Sequence, residues 1–197
     1  MKILPRLAAI AFTSVAACAT PSSTSSTTTT ATAAVTSTPS TTPSATPSSV
    51  PRDDLVGKPA PDFTATAQDG TAVHLTAWKG KRVVLYFYPK DETPGCTKEA
   101  CSFRDAWQDL AKTGAMLVGI SADTTDSHKD FADHYKLPFL LVSDPDGKIA
   151  ESYGVPFSGH HSRQTVVVGP DGRVVKVYRK VDVTAHAAQI LDDLRTL

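Results

Sequence analysis

Two cysteines stand five positions apart in "TPGCTKEAC", Cys96 and Cys101, and the 197-residue chain holds one more, Cys18. Thr93, Pro94 and Gly95 read as a turn feeding a helix that begins near Cys96. At about 100° per residue, Ala100, Phe103, Trp107 and Leu110 fall within about 40° of Cys96, which therefore opens the buried face. Cys101 falls about 140° away, with Asp105, Gln108 and Lys112, on the side expected to face solvent. A helix N-terminus presents unpaired N–H groups and a partial positive charge, and both favour a thiolate, so Cys96 has the more nucleophilic seat. The plainer reading of Cys96 is a small buried hydrophobe. The turn before it argues for more, because Pro94 and Gly95 let the backbone aim its amides at the sulfur.

Joining the two sulfurs is geometrically demanding. In an intact helix, residues five apart have Cα atoms about 8.7 Å apart, whereas a disulfide tolerates up to about 6.8 Å. A cycle between a folded dithiol and a locally unwound disulfide fits this spacing better than a permanent bridge. The static bridge stays open as a reading, because exported cysteines commonly pair.

The elements that must position these residues are legible as alternating runs. "FTATAQDGTAVHL" alternates around Asp69-Gly70, a hairpin signal. "RVVLYFY", Arg82 to Tyr88, is a continuous apolar run of strand length, expected in the middle of a sheet covered on both faces. The cysteine helix should run to about Lys112, followed by "AMLVGIS" as a second buried strand. A helix is expected from Asp126 through "DSHKDFADHY", then "FLLVS" as a third strand and "DPDG" as a turn. "RQTVVVGPDGRVVKVY" reads as a hairpin around Pro170 to Gly172. Thr184 to Leu197 closes as a helix with Ala187, Ile190, Leu191 and Leu194 on one face. This order gives an α/β three-layer sandwich with a central mixed β-sheet and is similar to the thioredoxin fold.

The first 51 residues have a different character. Lys2 and Arg6, the apolar run Leu7 to Ala17 and small residues around Cys18 have the layout of an export signal, too short for a bilayer span of roughly 20 residues. "VAAC" resembles a bacterial lipobox, which makes Cys18 a lipidation candidate; "ACA" also fits ordinary A-x-A cleavage, leaving a periplasmic or secreted product. Residues 19–51 are almost wholly Thr, Ser, Ala and Pro, a composition expected to form a disordered tether. The domains read as 1–18 signal, 19–51 tether and 52–197 one globular unit. In that unit 18 basic residues meet 20 acidic ones, which argues against nucleic acid as a partner.

The cysteine segment is similar to the peroxiredoxins. Pro89, Thr93 and Cys96 in "PKDETPGC" fit the family's P-x-x-x-T-x-x-C pattern, and Cys96 with Cys101 resembles the C-x₄-C of its Q-type, or bacterioferritin comigratory protein, branch. The resemblance extends over nearly all of Asp54 to Leu197, including "GKPAPDF" and the arginine before the late strand, Arg163. It implies a thiol peroxidase acting on hydrogen peroxide and organic hydroperoxides. Cys96 would be the peroxidatic cysteine, oxidised to a sulfenic acid, and Cys101 the resolving cysteine that condenses with it to a disulfide. A thioredoxin-like donor would restore the dithiol. The resemblance gives Arg163 the task of stabilising sulfur and peroxide oxygens, with a surface ion pair as the plainer reading. Thr93 would serve near the peroxide or cap the helix, Pro89 would fix the loop and shield the sulfur, and Glu99 would orient Arg163. No cofactor and no metal are implied, a monomer is expected, and an exported enzyme would need a reductant on its own side of the membrane.

Two rival classes remain at this stage. Some tethered thioredoxin-fold proteins bind copper through two cysteines and a distant histidine, and His160 and His161 are candidates near the cysteines. Their spacing is C-x₃-C, and two thiolates about 140° apart converge poorly on one ion. His74, His128, His134 and His186 read as ordinary surface or loop residues. A disulfide-exchange protein would ordinarily carry C-x-x-C, which this chain lacks.

Overall fold

The strand Val83–Phe87 shows how the layers arise, because its side chains alternate between two cores. Val84 and Tyr86 pack on one face with Cys96, Ala100, Phe103, Phe131, Ile190 and Leu194. Val83, Leu85 and Phe87 pack on the other with Phe63, Val73, Ile120, Tyr153 and Val166. A strand buried on both faces must be apolar at every position, which explains the unbroken run in the sequence. The computed structural model describes residues 55–197. Cys18, the signal-like segment, residues 19–51 and the proposed domain start at Arg52 lie outside the described residues.

The elements in chain order are the hairpin β1 (Thr64–Thr66) and β2 (Ala72–His74), β3 (Val83–Phe87), α1 (Pro94–Asp105), α2 (Trp107–Lys112), β4 (Met116–Ser121) and α3 (Thr125–Tyr135). Then follow β5 (Leu140–Ser143), α4 (Lys148–Ser152), β6 (Gln164–Val168), β7 (Val174–Tyr178) and α5 (His186–Thr196). The main sheet has the order β5-β4-β3-β6-β7. Strand β3 runs parallel to β4 and antiparallel to β6, while β4 and β5 are parallel and β6 and β7 antiparallel. The sheet is therefore mixed, with helices α1, α3 and α5 contributing to one core and the β1–β2 hairpin and α4 to the other. This is the thioredoxin-like sandwich expected from the order of elements.

Each edge of the main sheet is partly capped by backbone or side-chain bonds, which limits open pairing templates. At β5 the Gln68 side chain imitates a strand: its Nε2 donates to the Phe139 carbonyl at 2.9 Å and its Oε1 accepts the Leu141 N–H at 2.6 Å. At β7 the Gly57 N–H donates to Val174 O at 2.8 Å, and the Val174 N–H donates to Lys58 O at 2.9 Å.

The helix expected to run unbroken to Lys112 is instead two helices. It bends at Ala106, whose φ of −85° and ψ of 0° end α1 without glycine or proline. After the bend Trp107 packs against Phe139, ring centroids 6.0 Å apart, on the same core as Cys96. A 3-10 turn at Leu75–Trp78 and the short α4 carry too few residues for a readable period.

Candidate active site

Helix α1 starts where the sequence demanded it. Pro94 occupies its first position, where the missing N–H costs nothing. Thr93 precedes it in an extended conformation, and its carbonyl accepts the Thr97 N–H at 2.8 Å. The Thr93 hydroxyl does not cap the helix: it turns back and donates to Lys90 O at 2.9 Å, tightening the loop. By their place in the first turn, the Gly95 and Cys96 N–H groups have no intrahelical acceptor, so the start of α1 offers donors around the sulfur.

Cys96 is a free thiol, 2 % exposed. Arg163, the residue before β6, brings its guanidinium across from the neighbouring strand: Nη2 donates to Cys96 Sγ at 3.1 Å, while Nη1 donates to Glu99 Oε2. Residues 67 positions apart thus meet because β3 and β6 are adjacent. The Arg163 side chain keeps 19 % of its surface exposed and Glu99 keeps 1 %. Burial lifts the Glu99 carboxyl to about 7, against the pull of Arg163. Burial alone would lower Arg163, but the charges of Glu99 and Cys96 outweigh it and raise its pKa, so the guanidinium stays charged. The plain surface ion pair is therefore set aside for Arg163, whose fork spans sulfur and a buried carboxylate.

Cys101 is 4 % exposed, not on a solvent-facing side as the helical wheel implied. The wheel assumes one buried stripe, whereas α1 is enclosed almost all round: of its twelve residues only Pro94, Lys98 and Asp105 are exposed. Both cysteines lie in the regular helix, five positions apart. Pro89 is half-buried directly after Tyr88, in the loop between β3 and α1.

The histidines depart most from expectation. His128 and His186 are fully buried, not surface or loop residues, and the ligand candidate His161 is fully buried too. His161 is not near Cys96. It lies 3.1 Å from Asp144 Oδ2 and packs edge-on against Phe87, a residue of the opposite sheet face, which removes His161 from the copper reading. His186 sits behind the site with its Nε2 2.8 Å from Thr165 Oγ1 and its ring edge-on to Phe103. Burial, with added repulsion from Arg163 and against a Gln189 hydrogen bond, lowers its pKa to about 4. His128 lies 2.8 Å from Asp91, in a polar cluster that sequence reasoning missed because Asp91 reads as an ordinary loop residue.

The geometry has counterparts among known proteins. Residues 56–177 match the model of the AhpC/TSA family. A peroxiredoxin Q of the chloroplast from Oryza sativa subsp. japonica is 46 % identical over 145 residues, covering 72 % of this chain and 67 % of the relative. The structure of the peroxidoxin BcpB from Mycobacterium tuberculosis aligns with a TM-score of 0.67 and 36 % identity over 73 % of this chain and 97 % of that one. Peroxiredoxin Q from Xanthomonas campestris aligns with a TM-score of 0.65 and 34 % identity over 68 % of this chain and 90 % of that one. With a thiol at a helix start, an arginine on its sulfur and these relatives, the chain belongs to the peroxiredoxins, in their Q-type branch, and is a thiol peroxidase.

Proposed function

We propose that Cys96 is the peroxidatic cysteine and Cys101 the resolving cysteine of this peroxidase. The observation that carries the reading is the 3.1 Å bond from Arg163 to Cys96 Sγ, made by a guanidinium already tied to Glu99. The Cys96 thiolate attacks one peroxide oxygen; an S–O bond forms, the O–O bond breaks, and the departing alkoxide or hydroxide takes up a proton. Sulfur is oxidised by two electrons to a sulfenic acid while the departing half of the peroxide leaves as water from hydrogen peroxide or as an alcohol from an organic hydroperoxide. Arg163 and the first-turn amides stabilise the charge spread over sulfur and oxygens. Thr93 and Pro89 shape the loop wall beside the sulfur. The Cys101 thiol then condenses with the sulfenic acid, releasing water and leaving a disulfide. A thioredoxin-like dithiol takes over that disulfide by exchange.

Because both cysteines stand in one regular helix, the condensation requires the first turns of α1 to unwind. The enzyme works as a monomer, tethered through residues 19–51 by a lipid on Cys18, outside the cytoplasm. Support for this placement is the signal-like layout and "VAAC" of the sequence; mass spectrometry of the membrane fraction checks it, with an unmodified chain beginning at Thr20 as the contrary outcome.

Peroxide consumption with dithiothreitol tests the residue roles. Cys96→Ser should abolish turnover, and Cys101→Ser should still form one sulfenic acid per chain. Full activity in Cys96→Ser overturns the assignment.

A further inference from the structure

In the loop that carries Pro89 and Thr93, the carboxylates of Asp91 and Glu92 both bond to α3. Asp91, 4 % exposed, accepts at one oxygen from the Tyr88 hydroxyl at 2.7 Å and at the other from the Ser127 hydroxyl at 2.8 Å. His128 Nδ1 lies 2.8 Å from the same second oxygen, and the carboxylate assigns the ring proton to that nitrogen. The Asp91 N–H donates to Asp123 Oδ2 at 2.8 Å, and that oxygen also accepts from Ser121 Oγ at 2.7 Å. Burial holds the Tyr88 phenol well above its ordinary pKa, so it stays a donor. The next residue, Glu92, stands at φ 59°, uncommon for a side chain this long, and accepts from Tyr135 Oη at 2.9 Å. Beyond the cysteines, Arg104 Nη1 donates to the Tyr135 carbonyl at 2.9 Å. Helix α3 thus grips the chain on both sides of the segment that contains Cys96 and Cys101.

We infer that Asp91, held by His128, is a positioning residue that fixes the Pro89–Thr93 loop to α3, so that this wall of the site stays in place while α1 unwinds to form the disulfide. A buried carboxylate bonded by Tyr88 at one oxygen and by Ser127 and His128 of α3 at the other is costly to move, because breaking those bonds leaves unpaired buried polar groups. The start of α1 has the opposite character, with first-turn amides unpaired within the helix. The unwinding therefore begins after Glu92 and stops before Arg104. The inference rests on the peroxidase cycle proposed above and adds the fixed frame in which it runs.

Two measurements on the full chain test it. In the first, stopped-flow mixing gives the second-order rate of Cys96 with hydrogen peroxide and, separately, with iodoacetamide, which needs no oriented pocket. Asp91→Asn and His128→Ala should lose about 100-fold toward peroxide while keeping their alkylation rate, and His128→Asn, whose amide supplies a donor near the lost Nδ1, should recover most of the loss. Unchanged peroxide rates, equal losses toward both reagents, or no recovery in His128→Asn overturn the inference. In the second, which needs no variant, amide exchange is compared between dithiol and disulfide forms. The amides of Thr97 to Cys101 should lose protection on oxidation while that of Asp91 keeps it; joint loss overturns the inference. Wild-type chain that fails to consume peroxide would count against the cycle itself, a different failure from either of these.

Discussion

Arg163 bonds a sulfur and a carboxylate with two nitrogens of one rigid fork, and lysine has no equivalent geometry. Arg163→Lys should therefore lower kcat/KM for peroxide by about 100-fold without abolishing sulfenic acid formation; a rate within a few fold of wild type, measured by stopped flow, would contradict the charge-stabilising role. Glu99 supplies a pH signature. Its carboxyl titrates near 7 in the fold against an ordinary 4.5. For a carboxyl shifted upward, the stabilising contribution is complete below the unfolded value and is lost as pH rises through the folded one. Between about pH 4.5 and about pH 7 the wild-type melting temperature should fall relative to that of Glu99→Gln, as read by parallel thermal melts; parallel curves would contradict it. His186 has the opposite sign. Its pKa is lowered from 6.5 to about 4, so folding favours the neutral ring and stability is lost as pH falls through that window. Acid melts of His186→Gln should show a shallower loss there. Cys96 and Cys101 were visible from residue type and spacing and Arg163 through the family resemblance, whereas Asp91 and His128 were not. Their pairing joins positions 37 apart through a fold that no local pattern encodes.

Helix α1 must be held firmly by its packing yet be able to unwind at its start. The packing beneath it is tight. Tyr86 lies stacked on Tyr88 and tilted against Phe103 of α1, and its hydroxyl end is accommodated by Gly119 on β4. A Cβ at Gly119 would come within 2.6 Å of Tyr86 Oη and 2.7 Å of Leu141 Cδ2. Gly119→Ala should cost about 1–3 kcal/mol in urea unfolding, and a neutral result would show the layer to be looser than its contacts imply. Strand periods and turn residues made β3, β4, β5 and the β6–β7 hairpin readable from sequence. The break at Ala106 was not, because no helix-breaking residue marks it and the Trp107–Phe139 contact that goes with it is tertiary. The burial of Cys101 was missed for a related reason, since a helical wheel knows only one neighbour.

For the whole molecule, the near-neutral charge and single sandwich leave the chemistry concentrated where β3, β6 and α1 meet. Element order was enough to predict the mixed sheet, because an apolar strand covered on both faces has few ways to be built. It could not show which histidines face inward, and that difference moved His161 to the far side of the sheet from Cys96. The central claim is that one helix holds the nucleophile in its folded state and yields a disulfide when it unwinds. Peptide mapping after one equivalent of hydrogen peroxide is the most direct test. A Cys96–Cys101 disulfide is expected in the wild-type chain and a Cys96 sulfenic acid, trapped by dimedone, in Cys101→Ser. Cys96 left as a thiol in the wild-type chain, or oxidised there without joining Cys101, would contradict it.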